Sequence, residues 1–203
     1  MLFKLEKDDE IDIVAPSSFI DKEDDFDKGL EILKNWGLRI NKNRYPLEKF
    51  GYFAGDDQTR FEELVKSQKS KLIIFAKGGW GSARLLEKKP NWGNGLMLGF
   101  SDTCSLLLSK YAQGYWGSIH GPMVTSLSKE PEWSLERLRN LLFEGYVKDI
   151  KGSPLKKGIA KGKIIVSNLT IATFLIGTGH FPDLKGKIII FEDINEDIYK
   201  IDR

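Results

Sequence analysis

LMLGFSDTCSLLLSKYA, residues 96–112, decides how the chain is read. Leu96 to Phe100 is a short apolar run of the length of a buried strand. Thr103 to Ala112 follows at once, with Leu106, Leu107 and Tyr111 on one helical face. Between them, Gly99-Phe100-Ser101-Asp102 leaves room only for a sharp turn. A buried strand that passes straight into a helix is half of a βαβ unit, and the same order recurs upstream.

IDIVA (11–15) is a β-branched run ended by Pro16, Ser17 and Ser18, and Phe26, Leu30, Leu33 and Trp36 then recur at helical spacing until Gly37 supplies a stop. Leu38 to Asn43 suits a strand, Gln58 to Ser67 a helix, and KLIIFA (71–76) a buried strand running into glycines. A short strand is expected from Tyr115 towards His120. Strands alternating with helices pair in parallel through right-handed crossovers, so the fold class is α/β with an open, mostly parallel sheet of the Rossmann or flavodoxin-like kind.

The character changes near Lys129. Glu130 to Trp133 form a break, Leu135 to Phe143 a helix, and Lys148 to Gly162 mixes Gly, Pro and Lys as a linker does. Lys163 to Val166, a helix over Leu169 to Ile176, and KIIIF (187–191) then form a second apolar set. The division expected is an N-terminal α/β domain over 1–128, a linker region over 129–158, and an incomplete, smaller α/β domain over 159–203.

With 203 residues, 41% hydrophobic and 30% charged, the chain can bury a real core. A net charge of +2 gives no electrostatic reason to expect nucleic acid or an anionic membrane as partner. One cysteine, Cys104, cannot form an internal disulfide, and MLFKLEKDDEIDIV lacks the layout of a secretory signal. The expected location is the cytoplasm, with no membrane span.

In open α/β sheets ligands bind beyond the carboxyl ends of the strands. A serine on the turn after a strand, here Ser101, projects its hydroxyl into that cleft, while the next amide, that of Asp102, points at the helix start and forms half an oxyanion hole. Taken alone, the same residues also read as a helix cap followed by an acid in the first turn. KGGWGS (77–82) lacks the spacing of a phosphate loop; its glycines suit either a second oxyanion donor or a simple turn. Glu192 ends an apolar run, where a carboxylate can orient a histidine or merely be solvated. His120 and His180 are each compatible with a base or a bystander. No run of His, Cys and carboxylates has metal-ligand spacing, so neither metal nor other cofactor is expected.

Seven stretches together resemble the LD-carboxypeptidase family, the cytoplasmic muramoyltetrapeptide carboxypeptidases and their relatives that give immunity to peptide-nucleotide antibiotics. They are IDIVAPSS (11–18), GYFAGDDQTR (51–60), KLIIFAKGGWGSARLL (71–86), LGFSDTCSLLL (98–108), HGPM (120–123), SNLTIATFLIGT (167–178) and FEDINEDIYKIDR (191–203), in family order. The resemblance implies a serine peptidase working at a junction of two domains. Ser101 matches the nucleophile, the amides of Gly79 and Asp102 the oxyanion hole, and Glu192 the acid of the triad. Gly78, Trp80, Asn168 and His120 sit in matching motifs as candidate substrate contacts. The implied substrate is murein tetrapeptide, losing its terminal D-alanine, or a related peptide conjugate, and a homodimer is a further implication.

The sequence departs from the family at one decisive place. The family histidine lies well downstream of the acid, whereas this chain stops at Arg203. The expectation is therefore a C-terminally truncated member with no appreciable activity by itself, or else a non-catalytic protein that binds a peptide-like ligand. Lys77 also stands where many relatives carry arginine, and the loop from Glu87 to Gly95 is compact.

Overall fold

The computed structural model describes residues 4–41 and 48–202. Five strands, β1 (Glu10–Val14), β2 (Arg39–Ile40), β3 (Leu72–Phe75), β4 (Leu96–Gly99) and β5 (Ser118–His120), form one sheet in the order β2-β1-β3-β4-β5. Every pairing is parallel, with Ile13 opposite Ile74, Ile73 opposite Met97 and Leu98 opposite Ile119. This is the flavodoxin-like order, whose switch point lies between β1 and β3. Lys42 and Asn43 of the predicted second strand lie outside the described residues.

Strand side chains alternate between two cores, as a period of two requires. Ile11, Ile13, Leu72, Ile74, Leu96 and Leu98 face Phe26, Leu30 and Leu33 of α1 (Glu23–Asn35), together with Val124 and Leu127 of α4 (Val124–Leu127) and Leu138 and Leu142 of α5 (Glu132–Glu144). Val14, Ile73, Phe75 and Met97 face Leu64 of α2 (Asp57–Lys66) and Leu106 to Leu108 of α3 (Cys104–Ala112). α5 thus lies within the stretch expected as linker and packs on the first core, while residues 146–162 contain neither helix nor strand. Residues 82–88 are wound as a 3-10 turn flanked on either side by left-handed residues, Gly81 and Lys89. The short α4 had no periodic signal; it is held by Thr125, whose N–H and hydroxyl both donate to the Ala76 carbonyl at 3.1 Å.

A second, two-stranded parallel sheet pairs β6 (Lys163–Asn168) with β7 (Lys187–Glu192), joined through α6 (Leu169–Leu175); α7 (Ile198–Asp202) follows. Ile165, Ala172 and Leu175 pack into the same core as α3, so the second apolar set closes over the first sheet's helical layer.

Two positions test this packing. Gly29 lets α1 touch the backbone of α4: a Cβ there would stand 2.0 Å from the Val124 carbonyl oxygen. Because the obstacle is backbone, Gly29→Ala should destabilise the fold by at least about 1–3 kcal/mol in denaturant titrations. Lys110 on α3 is 1% exposed, and its ammonium donates to the carbonyls of Gly93 (2.9 Å) and Gly95 (2.5 Å). Burial pushes its pKa down from the usual 10.5 to about 8. Below pH 8 both states carry the proton and folding bears the cost of burying a charge; between about pH 8 and 10.5 the unfolded chain binds more protons, so stability rises with pH. Relative to Lys110→Met, the wild-type chain should gain up to about 3 kcal/mol across that window, read as a diverging pair of thermal midpoints.

Candidate active site

The loops after β1, β3 and β4 meet at one buried carboxylate. Asp102 Oδ2 accepts the Ser17 hydroxyl at 2.6 Å and the Ser82 N–H at 2.8 Å, and its main-chain carbonyl accepts the Ser82 hydroxyl at 2.7 Å. Ser82 Oγ also lies 2.7 Å from Ser105 Oγ. These side chains are all but inaccessible, and each is satisfied by another. Arg60 of α2 repeats the tie from outside: its guanidinium donates to the carbonyls of Pro16 and Gly81, pairs with Asp57 and lies 4.3 Å over the Phe53 ring.

Ser101 is held by this knot in a left-handed conformation, φ +60°. That region costs a non-glycine residue on the order of 1–3 kcal/mol and persists only where the surroundings impose it. Two constraints are visible: Gly99 is packed so closely that a Cβ would meet Thr103 Oγ1 at 2.5 Å and Phe75 Cδ2 at 2.6 Å, and the Thr103 hydroxyl is tied to the Phe100 carbonyl at 2.8 Å. The turn therefore cannot relax towards β4 or into α3. The Ser101 hydroxyl has no hydrogen-bond partner among the described residues.

A cavity of about 310 Å³ opens on Ser101 and is lined by Gly78, Gly79, Phe100, Met123 and the charged rim of Lys77 and Lys129. Lys77 pairs with Asp21, and Lys129 with Asp25 at 2.7 Å. A Cβ on Gly78 would stand 3.0 Å from Ser101 Oγ, and one on Gly79, at φ +107°, only 2.2 Å from Ser18 Oγ. The glycines thus allow main chain to border the serine. Ser18 fixes them, donating its N–H to the Gly78 carbonyl and accepting the Trp80 N–H, both at 3.2 Å. The Gly79 N–H has no acceptor among the described residues. Asp102 contributes no side chain to the cavity, its carboxylate being committed to the knot.

Glu192, Asn168 and His120 gather nearby but do not line this cavity. Glu192 ends β7 opposite Asn168, which ends β6. Asn168 caps α6 through Oδ1, accepting the Ile171 N–H at 3.0 Å, and its Nδ2 approaches the Glu192 carbonyl at 3.4 Å. His120 ends β5, beside Gly99 of β4. Its Nε2 lies 3.4 Å from Glu192 Oε1, and its ring centroid 6.1 Å from that of Phe100, which does line the cavity. Burial lowers the His120 pKa although the Glu192 carboxylate opposes it. Trp80 is half exposed, edge-on to Phe174 of α6 at 5.6 Å between centroids. His180 is elsewhere, with Nδ1 2.8 Å from the Ser109 hydroxyl.

Sequence reasoning found no metal-like cluster, yet Cys104, His120 and Glu192 offer donor atoms all within 4.8 Å of one another. Their positions, 16 and 72 residues apart, carry no spacing signal because they come from three elements, α3, β5 and β7. Ser17, Ser18 and Arg60 were likewise missed as site residues; the one available hint was that polar side chains directly follow β1 and open α2.

Sequence profiles of the LD-carboxypeptidase N-terminal and C-terminal domains match residues 11–121 and 161–203. A Synechocystis protein with the provisional name carboxypeptidase is 38% identical over 98% of this chain and 68% of its own length. The murein tetrapeptide carboxypeptidase of Pseudomonas aeruginosa is 29% identical over 97% of this chain and 70% of its own. Among solved structures, the microcin C7 self-immunity protein MccF superposes with a TM-score of 0.80 at 21% identity, covering 98% of this chain and 72% of that one. The muramoyltetrapeptide carboxypeptidase of Oxalobacter formigenes gives 0.75 at 21%, over 96% and 69%. At such identities the structures speak for the fold, and the chain spans about two thirds of the curated relatives it matches. The profile over most of the first sheet and the 38% identity together establish that this chain belongs to the LD-carboxypeptidase family.

Proposed function

We propose that residues 1–203 carry the nucleophile, the oxyanion hole and the triad acid of a serine-type LD-carboxypeptidase that removes the terminal D-alanine from murein tetrapeptide during cytoplasmic cell-wall recycling. The observation that supports it most is Ser101 at φ +60°, its hydroxyl bordered by Gly78 on a cavity. A serine forced into that conformation directly after a strand is presented to a ligand and not to its own helix. The proposed division, an N-terminal domain over 1–128 with α5 packed on its core and a C-terminal one beginning near 159, puts nucleophile and acid on separate units.

A base withdraws the Ser101 proton, and the resulting alkoxide attacks the carbonyl that joins an L-centre to D-alanine. The developing negative charge is held by the N–H groups of Gly79 and Asp102. The base returns the proton to the departing amine, and water then hydrolyses the acyl-enzyme. Glu192 orients the base and stabilises it while charged. Ser101 Oγ has no such base in hydrogen-bond contact among the described residues, which favours a second reading in which the 203-residue polypeptide holds a peptide-like ligand without turning it over.

The assay is release of D-alanine from murein tetrapeptide, by residues 1–203 alone and by the same residues joined to the part of the Synechocystis relative beyond the aligned region. The short polypeptide should stay within about 10³–10⁴-fold of the uncatalysed rate, the residue left by an oxyanion hole without a base. The fusion should turn over, and Ser101→Ala should abolish that activity. Turnover by the short form that disappears in Ser101→Ala would place the base among residues 1–203. In the fusion, Gly79→Ala should lower kcat by about 10²–10³-fold, as expected for a displaced oxyanion donor; an unchanged kcat would remove Gly79 from the mechanism.

A further inference from the structure

We propose that Cys104, His120 and Glu192 form a binding site for a thiophilic divalent cation of the zinc class. The three donors converge from the start of α3 and the ends of β5 and β7, all within 4.8 Å of one another. Tetrahedral zinc at the usual bond lengths holds nitrogen, oxygen and sulfur ligands about 3.3–3.6 Å apart. His120 Nε2 and Glu192 Oε1 already stand at 3.4 Å.

These two atoms are buried, and neither has a hydrogen-bond partner among the described residues. A buried nitrogen and a buried carboxylate oxygen facing each other without a hydrogen bond is a costly arrangement, and a shared cation satisfies both. Cys104 Sγ, fully buried, is the third donor and accepts the Asn168 N–H at 3.4 Å. An amide donating to sulfur is the kind of outer contact that steadies a metal-bound thiolate. On binding, the Cys104 thiol releases its proton to solvent as the metal–sulfur bond forms. Thiolate and imidazole select zinc, cobalt or copper over magnesium and calcium. Three protein ligands leave a fourth position for water.

The site takes its carboxylate from the proposed triad acid, so on that reading metal and catalysis compete for Glu192; binding itself can be measured without turnover. The chain has one cysteine and two histidines, which makes cobalt substitution decisive. Titration of the purified chain with Co²⁺ should produce a thiolate-to-cobalt charge-transfer band, which can arise from Cys104 alone. Zn²⁺ should bleach it at stoichiometric concentration, and Mg²⁺ in large excess should not. The band should vanish in Cys104→Ser, weaken at least about 100-fold in affinity in His120→Ala and Glu192→Gln, and persist in His180→Ala. Circular dichroism of the metal-free variants separates loss of a ligand from loss of fold. Absence of the band in the wild-type chain at saturating Co²⁺ overturns the proposal whatever the variants do, as does a band indifferent to His120→Ala and Glu192→Gln.

Discussion

The Asp102 carboxylate is the constraint on which the site's geometry depends. A charged group 2% exposed is tolerated only when its oxygens are engaged, and here one oxygen accepts from Ser17 and Ser82 together. Those donors follow β1 and β3, and Asp102 itself follows β4, so one side chain binds the ends of the three central strands. The left-handed φ at Ser101 is the local cost of placing the next residue's carboxylate inward. Strain at the serine and burial of the acid are thus two aspects of one turn.

The glycines after β3 acquire their role from the same knot. Ser18 reaches Gly78 and Trp80, Arg60 reaches Pro16 and Gly81, and between these ties the main chain of Gly78 and Gly79 is held against Ser101. Arg60 is buried as a cation because two carbonyls, a carboxylate and a ring face surround it. It stands on α2, whose N-cap Asp56 accepts the Thr59 N–H at 2.7 Å and so sets where the helix begins. The position of the glycine loop therefore traces back to a helix on the same face of the sheet.

The second sheet is attached through polar contacts as well as apolar ones. Asn168 caps α6, meets Cys104 through its N–H and approaches Glu192 through its side chain, while Thr170 at the helix start donates its N–H and hydroxyl to Asp193 at 3.0 and 2.8 Å. β6, α6 and the end of β7 are consequently one small lattice resting on α3. Glu192 is brought to His120 by that lattice, across 72 residues of chain.

By itself the sequence determined the periodic elements. The apolar runs read at 11–15, 71–76 and 96–100 contain most or all of β1, β3 and β4, because a buried parallel strand needs no polar face, and the turn at Ser101 was legible because a strand and a helix lie so close there. The seven motifs in order also carried the family. The sequence was silent on α4, which is set by two hydrogen bonds to Ala76, and on the 3-10 form of residues 82–88, which is set by Gly81 packed against Phe53 and Arg60. Nor could it show Ser17 and Ser82 sharing a carboxylate, or Cys104, His120 and Glu192 converging. Periodicity reports which face of an element is apolar, a property of neighbours in the chain, whereas these pairings depend on the order in which parallel strands are laid side by side, and that order is decided only when the sheet is assembled.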